Sequence, residues 1–340
     1  MCELDSAMKG SNQTLLSIQY LRGLAALAVV GYHALQWTGG GFEVGRAGVD
    51  VFFVISGLIM WTVTAGREVS PGAFLWRRIT RVAPAYWLAS LTVAAAAVLW
   101  PAFLPQVRPG WGHLGLSLAF IPHLDPAGLP FPMLPPGWTL TYEAGFYLIF
   151  AAALLAPERW RLAVLALGLG AVSGAGFIWR DAYPLGANPL MLEFLAGVCL
   201  GWLAQRRLLP GRGVGWLMLG AGVAAFAGME AAGWVNELWR PLVWGLPALL
   251  IVAGAVTLET AGAIPRSRAM QSLGDASYSI YLWHLPAAAL VAHALGTVHS
   301  WPFVLAALAA SIAAGLAGRA LIEKPLTTWL RWGMRDSDEA

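Results

Sequence analysis

Residues 20–33 read YLRGLAALAVVGYH. The run is apolar enough for a lipid bilayer and lacks the period of two that marks a half-buried strand, so it reads as helix. Yet it holds Arg22 near one end and His33 at the other. Steps of about 100° bring two positions eleven apart to within roughly 20° of one azimuth, and the rise separates them by roughly 16 Å along the axis. One helix face thus offers a fixed cation toward one membrane surface and a titratable base toward the other.

The rest of the chain has the same character. Of its 340 residues 58% are hydrophobic and 11% charged, with 18 tryptophans, where a water-soluble domain carries about a quarter charged residues. Hydrocarbon offers no partner for backbone N–H and C=O groups, and long unalternating apolar runs satisfy them as helices. The expectation is an all-α integral membrane protein in one bundle. Apolar windows of roughly 20 residues place ten spans at 18–38, 47–66, 82–103, 137–156, 160–179, 187–204, 214–232, 240–259, 277–296 and 301–322. The weaker run 111–121, WGHLGLSLAFI, is too short to span and reads as a re-entrant or interfacial helix in the long loop 104–136.

An even number of spans puts both termini on one side. That side carries fifteen of the 21 basic residues, among them Lys9, Arg67, Arg77, Arg78, Arg81, Arg159, Arg161, Arg331 and Arg335; the opposite loops carry Arg46, Arg108, Arg180 and Arg240. The positive-inside rule makes both termini cytoplasmic. The division is then a cytoplasmic segment 1–17, a membrane domain 18–330 and a cytoplasmic tail 331–340. The first run lacks a small-residue cleavage site after it and reads as a retained helix. Cys2 and Cys199, the only cysteines, give neither a disulfide framework nor a CxxC metal site, so no metal is expected. A net charge of +3 spread over many loops gives no reason to expect nucleic acid.

Ionisable residues inside spans cost a few kcal/mol and normally face the bundle interior. Arg22 reads as part of a site or as a headgroup anchor; His33 reads as a general base or as an interhelical hydrogen-bond partner. Glu143, in GWTLTYEAGFY (137–147), should lie at the depth of His33, roughly 8–9 Å in from the outer side. A carboxylate there can fix the imidazole tautomer and raise its basicity. Asp50, in GRAGVDVFFVISG (45–57), is a second candidate partner, or else a helix N-cap. Ser56 lies mid-membrane with no base expected beside it. In WRRITRVAPAYW (76–87) Arg77, Arg78 and Arg81 crowd one side of a helix, either as topological charge or as a phosphate site. His284, in LGDASYSIYLWHLP (273–286), falls seven residues into its span, toward the cytoplasm, and either packs or contacts substrate. Arg319 and Glu323, four apart, should form an ion pair.

Together these segments resemble the signature of membrane acyltransferase family three, and within it the exopolysaccharide and O-antigen O-acetyltransferases. The resemblance runs from about residue 16 to 330. It implies a bacterial inner-membrane enzyme that moves an acyl group, usually acetyl, from cytosolic acyl-CoA to a hydroxyl of an extracytoplasmic or lipid-linked carbohydrate. It also implies that Arg22 and His33 are the paired essential residues. Many relatives carry an extracytoplasmic SGNH-hydrolase-like domain; this chain resembles the stand-alone subgroup. On this reading His33 is the base, Glu143 or Asp50 orients it, and Arg22, Arg77, Arg78, Arg81 and His284 hold acetyl-CoA or another acyl-CoA. Acceptor specificity would sit in loop 104–136 with Trp111, His113 and His123. Rival readings are a transporter or flippase, for which no internal repeat is evident, and an assembly scaffold, which gives intramembrane His33 and Glu143 nothing to do.

Overall fold

A computed structural model describes residues 15–178, 189–233 and 239–335. Cys2, Lys9, Arg180, most of the N-terminal segment and residues 336–340 lie outside them, as do the side chains of Arg331 and Arg335. Among the described residues the chain is helical, without strands. A helix stands at each of the ten expected positions: α1 (Leu16–Thr38), α2 (Gly48–Thr64), α3 (Pro71–Leu99), then the short α4 (Trp111–Leu118), α5 (Trp138–Ala153), α6 (Glu158–Ile178), α7 (Met191–Gln205), α8 (Arg212–Ala232), α9 (Leu246–Thr260), α10 (Arg268–Leu295) and α11 (Trp301–Gly318). A further helix, α12 (Lys324–Arg335), occupies part of the expected tail.

Among the described residues five helical stretches, Glu43–Thr64, Pro71–Leu99, Arg212–Ala232, Pro241–Thr260 and Trp301–Trp329, are long and apolar enough to cross a membrane. The chain is a multi-pass membrane protein of the all-α class. The helices that carry Arg22, His33 and His284 are not among the five, because their polar side chains dilute the apolar run. α3 and α10 both begin well before their expected spans, capped by Ser70 and Ser267, whose hydroxyls accept from Ala73 N at 3.2 Å and Met270 N at 3.4 Å. A hydroxyl cap there satisfies an otherwise orphaned N–H and fixes where the helix starts.

α1 is capped from far along the chain. The Glu259 carboxylate at the end of α9 accepts from Leu16 N at 2.6 Å, from Ser17 N at 2.9 Å and from the Ser17 hydroxyl. At its other end Gly39, with φ 78°, closes the helix in the left-handed conformation.

Where helices cross, small residues let backbones touch. A Cβ on Gly57 of α2 would run into Phe194 O of α7, and one on Gly197 of α7 into Val54 O of α2. α1 and α10 lie parallel and in register. Gln19 Nε2 donates to Asp275 Oδ1 at 3.0 Å, a Cβ on Gly23 would press on Gly274 N at 3.1 Å, and His33 meets His284 further up. Stacked Phe53, Phe194 and Phe146, with centroids 4.5 and 4.4 Å apart, fill the core between α2, α5 and α7.

The segment Arg319–Glu323 after α11 is π-helical, and its wider turn changes which residues face each other. The expected Arg319–Glu323 pair is replaced. Arg319 pairs with Asp275 at 2.5 Å, and Glu323 accepts from Ser279 Oγ at 2.7 Å.

Candidate active site

α1, α2, α3, α5 and α10 enclose a cavity of ≈ 110 Å³. Its wall holds Arg22, Arg78 and Arg81 against one carboxylate, Glu143. Three guanidinium groups and a single acid make the space electropositive. Arg78 Nε is buried without a hydrogen-bond partner among the described residues, and a charged donor left so is expensive unless a ligand supplies the acceptor.

Helical azimuth explains why Arg77 is apart. It lies about 100° round the helix from Arg78, with Arg81 between them. Arg77 is exposed and absent from the cavity wall, Arg78 is half-buried, and Arg81 lines the mouth while staying exposed. The cluster that looked uniform in sequence divides into two cavity residues and a surface charge.

Glu143 sits in a hydroxyl network. Ser56 Oγ donates to its Oε1 at 3.0 Å, and Tyr147 OH, one turn along α5, donates to the same oxygen at 2.5 Å. Ser56 therefore has a carboxylate beside it, contrary to expectation. Tyr147 was legible as the i+4 neighbour of Glu143 but was not singled out.

At the other end of the cavity Tyr281 OH donates to Pro136 O at 3.0 Å and meets Thr139 Oγ1 at 3.1 Å. Behind Tyr281 stand the two histidines. His284 Nδ1 is 2.6 Å from Tyr281 O, His284 Nε2 is 3.2 Å from His33 Nδ1, and His33 Nδ1 is 3.0 Å from Val29 O. His33 is half-buried and does not line the cavity itself; it connects through His284 and Tyr281.

Two expected pairings with His33 thus give way to a third. Matched depth places residues at one level but does not choose the neighbouring helix. α1 packs on α10, while Glu143 faces Ser56 of α2. His284 is also higher than expected: α10 begins at Arg268, so sixteen residues, roughly 24 Å of rise, carry it to the level of His33.

Asp50 has another partner. Arg240 Nε and Nη2 donate to its two carboxylate oxygens at 3.0 and 2.9 Å, with the acid side chain wholly buried and the guanidinium side chain 4% exposed. The guanidinium also lies 4.7 Å from the Trp244 ring centroid. Buried Glu193 stands beside this pair. The N-cap reading of Asp50 fails as well, since α2 is preceded by Ala47 with no side-chain cap. Arg240 and Glu193 were missed because a lone arginine in a loop reads as topological charge.

In loop 104–136, α4 is held on α3 by Trp87 Nε1, which donates to Leu118 O at 2.8 Å. His113 Nδ1 and His123 Nε2 are 2.7 Å apart. Burial, then the charge of His123, holds the His113 imidazole below its ordinary value. Trp111 is 91% exposed. Among the described residues no three His, Cys, Asp or Glu side chains are grouped to hold a metal.

The family described as "Acyltransferase domain" matches residues 15–319. The exopolysaccharide production protein ExoZ of Rhizobium meliloti is 37% identical over 307 residues, 87% of this chain and 93% of its own. The peptidoglycan O-acetyltransferase OatA of Listeria monocytogenes is 27% identical over 361 residues, covering 93% of this chain but 56% of its own length. No solved structure matches. With the match spanning every helix that builds the cavity, the chain belongs to membrane acyltransferase family three and is an acyl-transferring enzyme.

Proposed function

We propose that the protein is an O-acyltransferase that takes an acyl group, acetyl in the simplest case, from acyl-CoA and delivers it to a carbohydrate hydroxyl. The observation that carries this reading is the electropositive cavity of Arg22, Arg78 and Arg81, with the buried Nε of Arg78, which has no partner among the described residues, inside it. The phosphates of coenzyme A are acceptors that such guanidinium groups match. Its thin pantetheine arm then lies along the cavity toward Tyr281, and the thioester comes near the histidines.

There the acceptor hydroxyl attacks the thioester carbonyl. His33 takes the hydroxyl proton, the C–S bond breaks, and the coenzyme A thiolate leaves and receives a proton, so the step is neutral overall. Glu143, bound to Ser56 and Tyr147, shapes the wall along which the acyl arm runs. The enzyme lies in the bacterial cytoplasmic membrane with both termini inside, so donor and acceptor approach from opposite faces. The names of ExoZ and OatA, an exopolysaccharide production protein and a peptidoglycan O-acetyltransferase, support a surface glycan as acceptor.

The test uses membranes containing the protein, acetyl-labelled CoA and the host's surface polysaccharide after alkaline de-O-acetylation. Label should pass to the polysaccharide and fall to background in His33→Ala. Transfer undiminished in that variant would remove His33 as the base.

A further inference from the structure

The two histidines settle each other's protons. His284 Nδ1 faces Tyr281 O at 2.6 Å, and a carbonyl can only accept, so this nitrogen carries the hydrogen. In the neutral ring the opposite nitrogen, Nε2, is then bare. His33 Nδ1 faces that bare nitrogen at 3.2 Å and Val29 O at 3.0 Å. Both neighbours accept, so His33 Nδ1 must be the donor and its Nε2 is left with a free lone pair. Val29 O, four residues back, also takes a backbone N–H in a regular helix. The His284 nitrogen brings an otherwise uncommitted lone pair. His284 is 1% exposed with both nitrogens engaged, which leaves neither for a ligand phosphate.

We infer that His284 is a positioning residue for the base. It holds His33 in the tautomer protonated on Nδ1 and aims the bare Nε2 at the acceptor. When Nε2 takes the acceptor's proton, the His33 imidazolium keeps its Nδ1–H bond to His284, so the ring does not turn between capture and return of the proton. A second group that orients a histidine's reactive nitrogen through its other nitrogen is a general device. Parallel packing of α1 and α10 supplies it here, with the Gln19–Asp275 bond and the Gly23–Gly274 contact setting the register lower down. The inference rests on His33 being the base.

The test compares His284→Leu with His284→Gln in purified, lipid-reconstituted protein, using acetyl-CoA and de-O-acetylated host polysaccharide. Glutamine can donate from its amide nitrogen to Tyr281 O and accept from His33 Nδ1–H; leucine can do neither. His284→Leu should lower kcat about 10- to 100-fold with KM for acetyl-CoA unchanged, and His284→Gln should recover most of the loss. Spectra of ¹⁵N-histidine-labelled protein, assigned with His33→Ala, should show His33 protonated on Nδ1 in the wild type and in His284→Gln.

Full kcat in His284→Leu would overturn the inference, as would an Nε2-protonated His33 in the wild type. A raised KM for acetyl-CoA with unchanged kcat would overturn it too, by returning His284 to donor binding. If His33→Ala abolishes transfer while His284→Leu does not, only the positioning role falls. If His33→Ala is active, the assignment of His33 as the base falls with it. The labelled spectra report the tautomer whichever way activity comes out.

Discussion

The substitution Asp50→Asn separates a structural acid from a catalytic one. Asp50 receives two charge-assisted bonds from Arg240, at 3.0 and 2.9 Å, from a guanidinium side chain 4% exposed. Removing one partner of such a buried pair costs about 3–5 kcal/mol, because the guanidinium loses its paired charge. Asparagine keeps one acceptor of nearly the same shape, and the hydrogen bond it still receives offsets about 0.5–1.5 kcal/mol. A net destabilisation of about 1.5–4.5 kcal/mol follows. At about 2 °C per kcal/mol for a chain of this size, thermal unfolding in detergent should move down by several degrees. Arg240→Gln should be at least as damaging, and the double variant should lose less than the two singles added together. Acetyl transfer per folded molecule should survive in Asp50→Asn, since Asp50 neither bonds His33 nor lines the cavity. An unchanged melting temperature combined with abolished transfer would refute this reasoning and restore Asp50 to the chemistry.

Other consequences are simpler to test. Arg78→Ala should raise KM for acetyl-CoA about 10- to 100-fold, the equivalent of about 1.5–3 kcal/mol for a bond to a charged group, whereas exposed Arg77→Ala should leave it alone; steady-state kinetics in membranes decides. Gly57→Leu drives a side chain into the α7 backbone and should cost about 1–3 kcal/mol or more, while Gly72→Ala, where a Cβ meets open space, should leave the unfolding temperature intact or raise it slightly. The depressed His113 pKa means that the unfolded loop binds more protons than the folded one just below the ordinary histidine value of about 6.5. Stability from this group is therefore full above about pH 6.5 and declines as pH falls toward the folded value, so proteolysis of loop 104–136 should quicken on acidification in the wild type and less so in His113→Gln.

Much of the fold was written in apolar length. Ten runs gave ten helices because a greasy stretch of that size has one way to satisfy its backbone. Helix starts were less legible: amphipathic first turns such as PGAFLWRRITR (71–81) look like cytoplasmic loop to a hydropathy window, although Ser70 and Ser267 caps were there to be read. In the site, Arg22, Arg78 and Arg81 meet in one cavity as residue type implied, but Glu143, expected at the depth of His33, stands with them instead. Partners were not legible. Whether His33 turns to Glu143, Asp50 or His284 depends on which helix lies alongside, and Gly23 and Gly274, small residues that admit α10 against α1, carry that choice without announcing it. The π-helical turn at Arg319–Glu323 broke a rule of spacing that assumes 3.6 residues per turn.

The carboxylate of Glu259 on the first turn of α1 bears on biogenesis. The helix with Arg22 and His33 leaves the ribosome before α9, and the group that closes its open N–H groups arrives 243 positions later. Until α9 has been made and inserted, the start of α1 must borrow partners from water or lipid headgroups. A helix made before the rest of the described bundle is thus among the last to be locked, and the machinery that could consume acyl-CoA is completed only when most of that bundle already surrounds it.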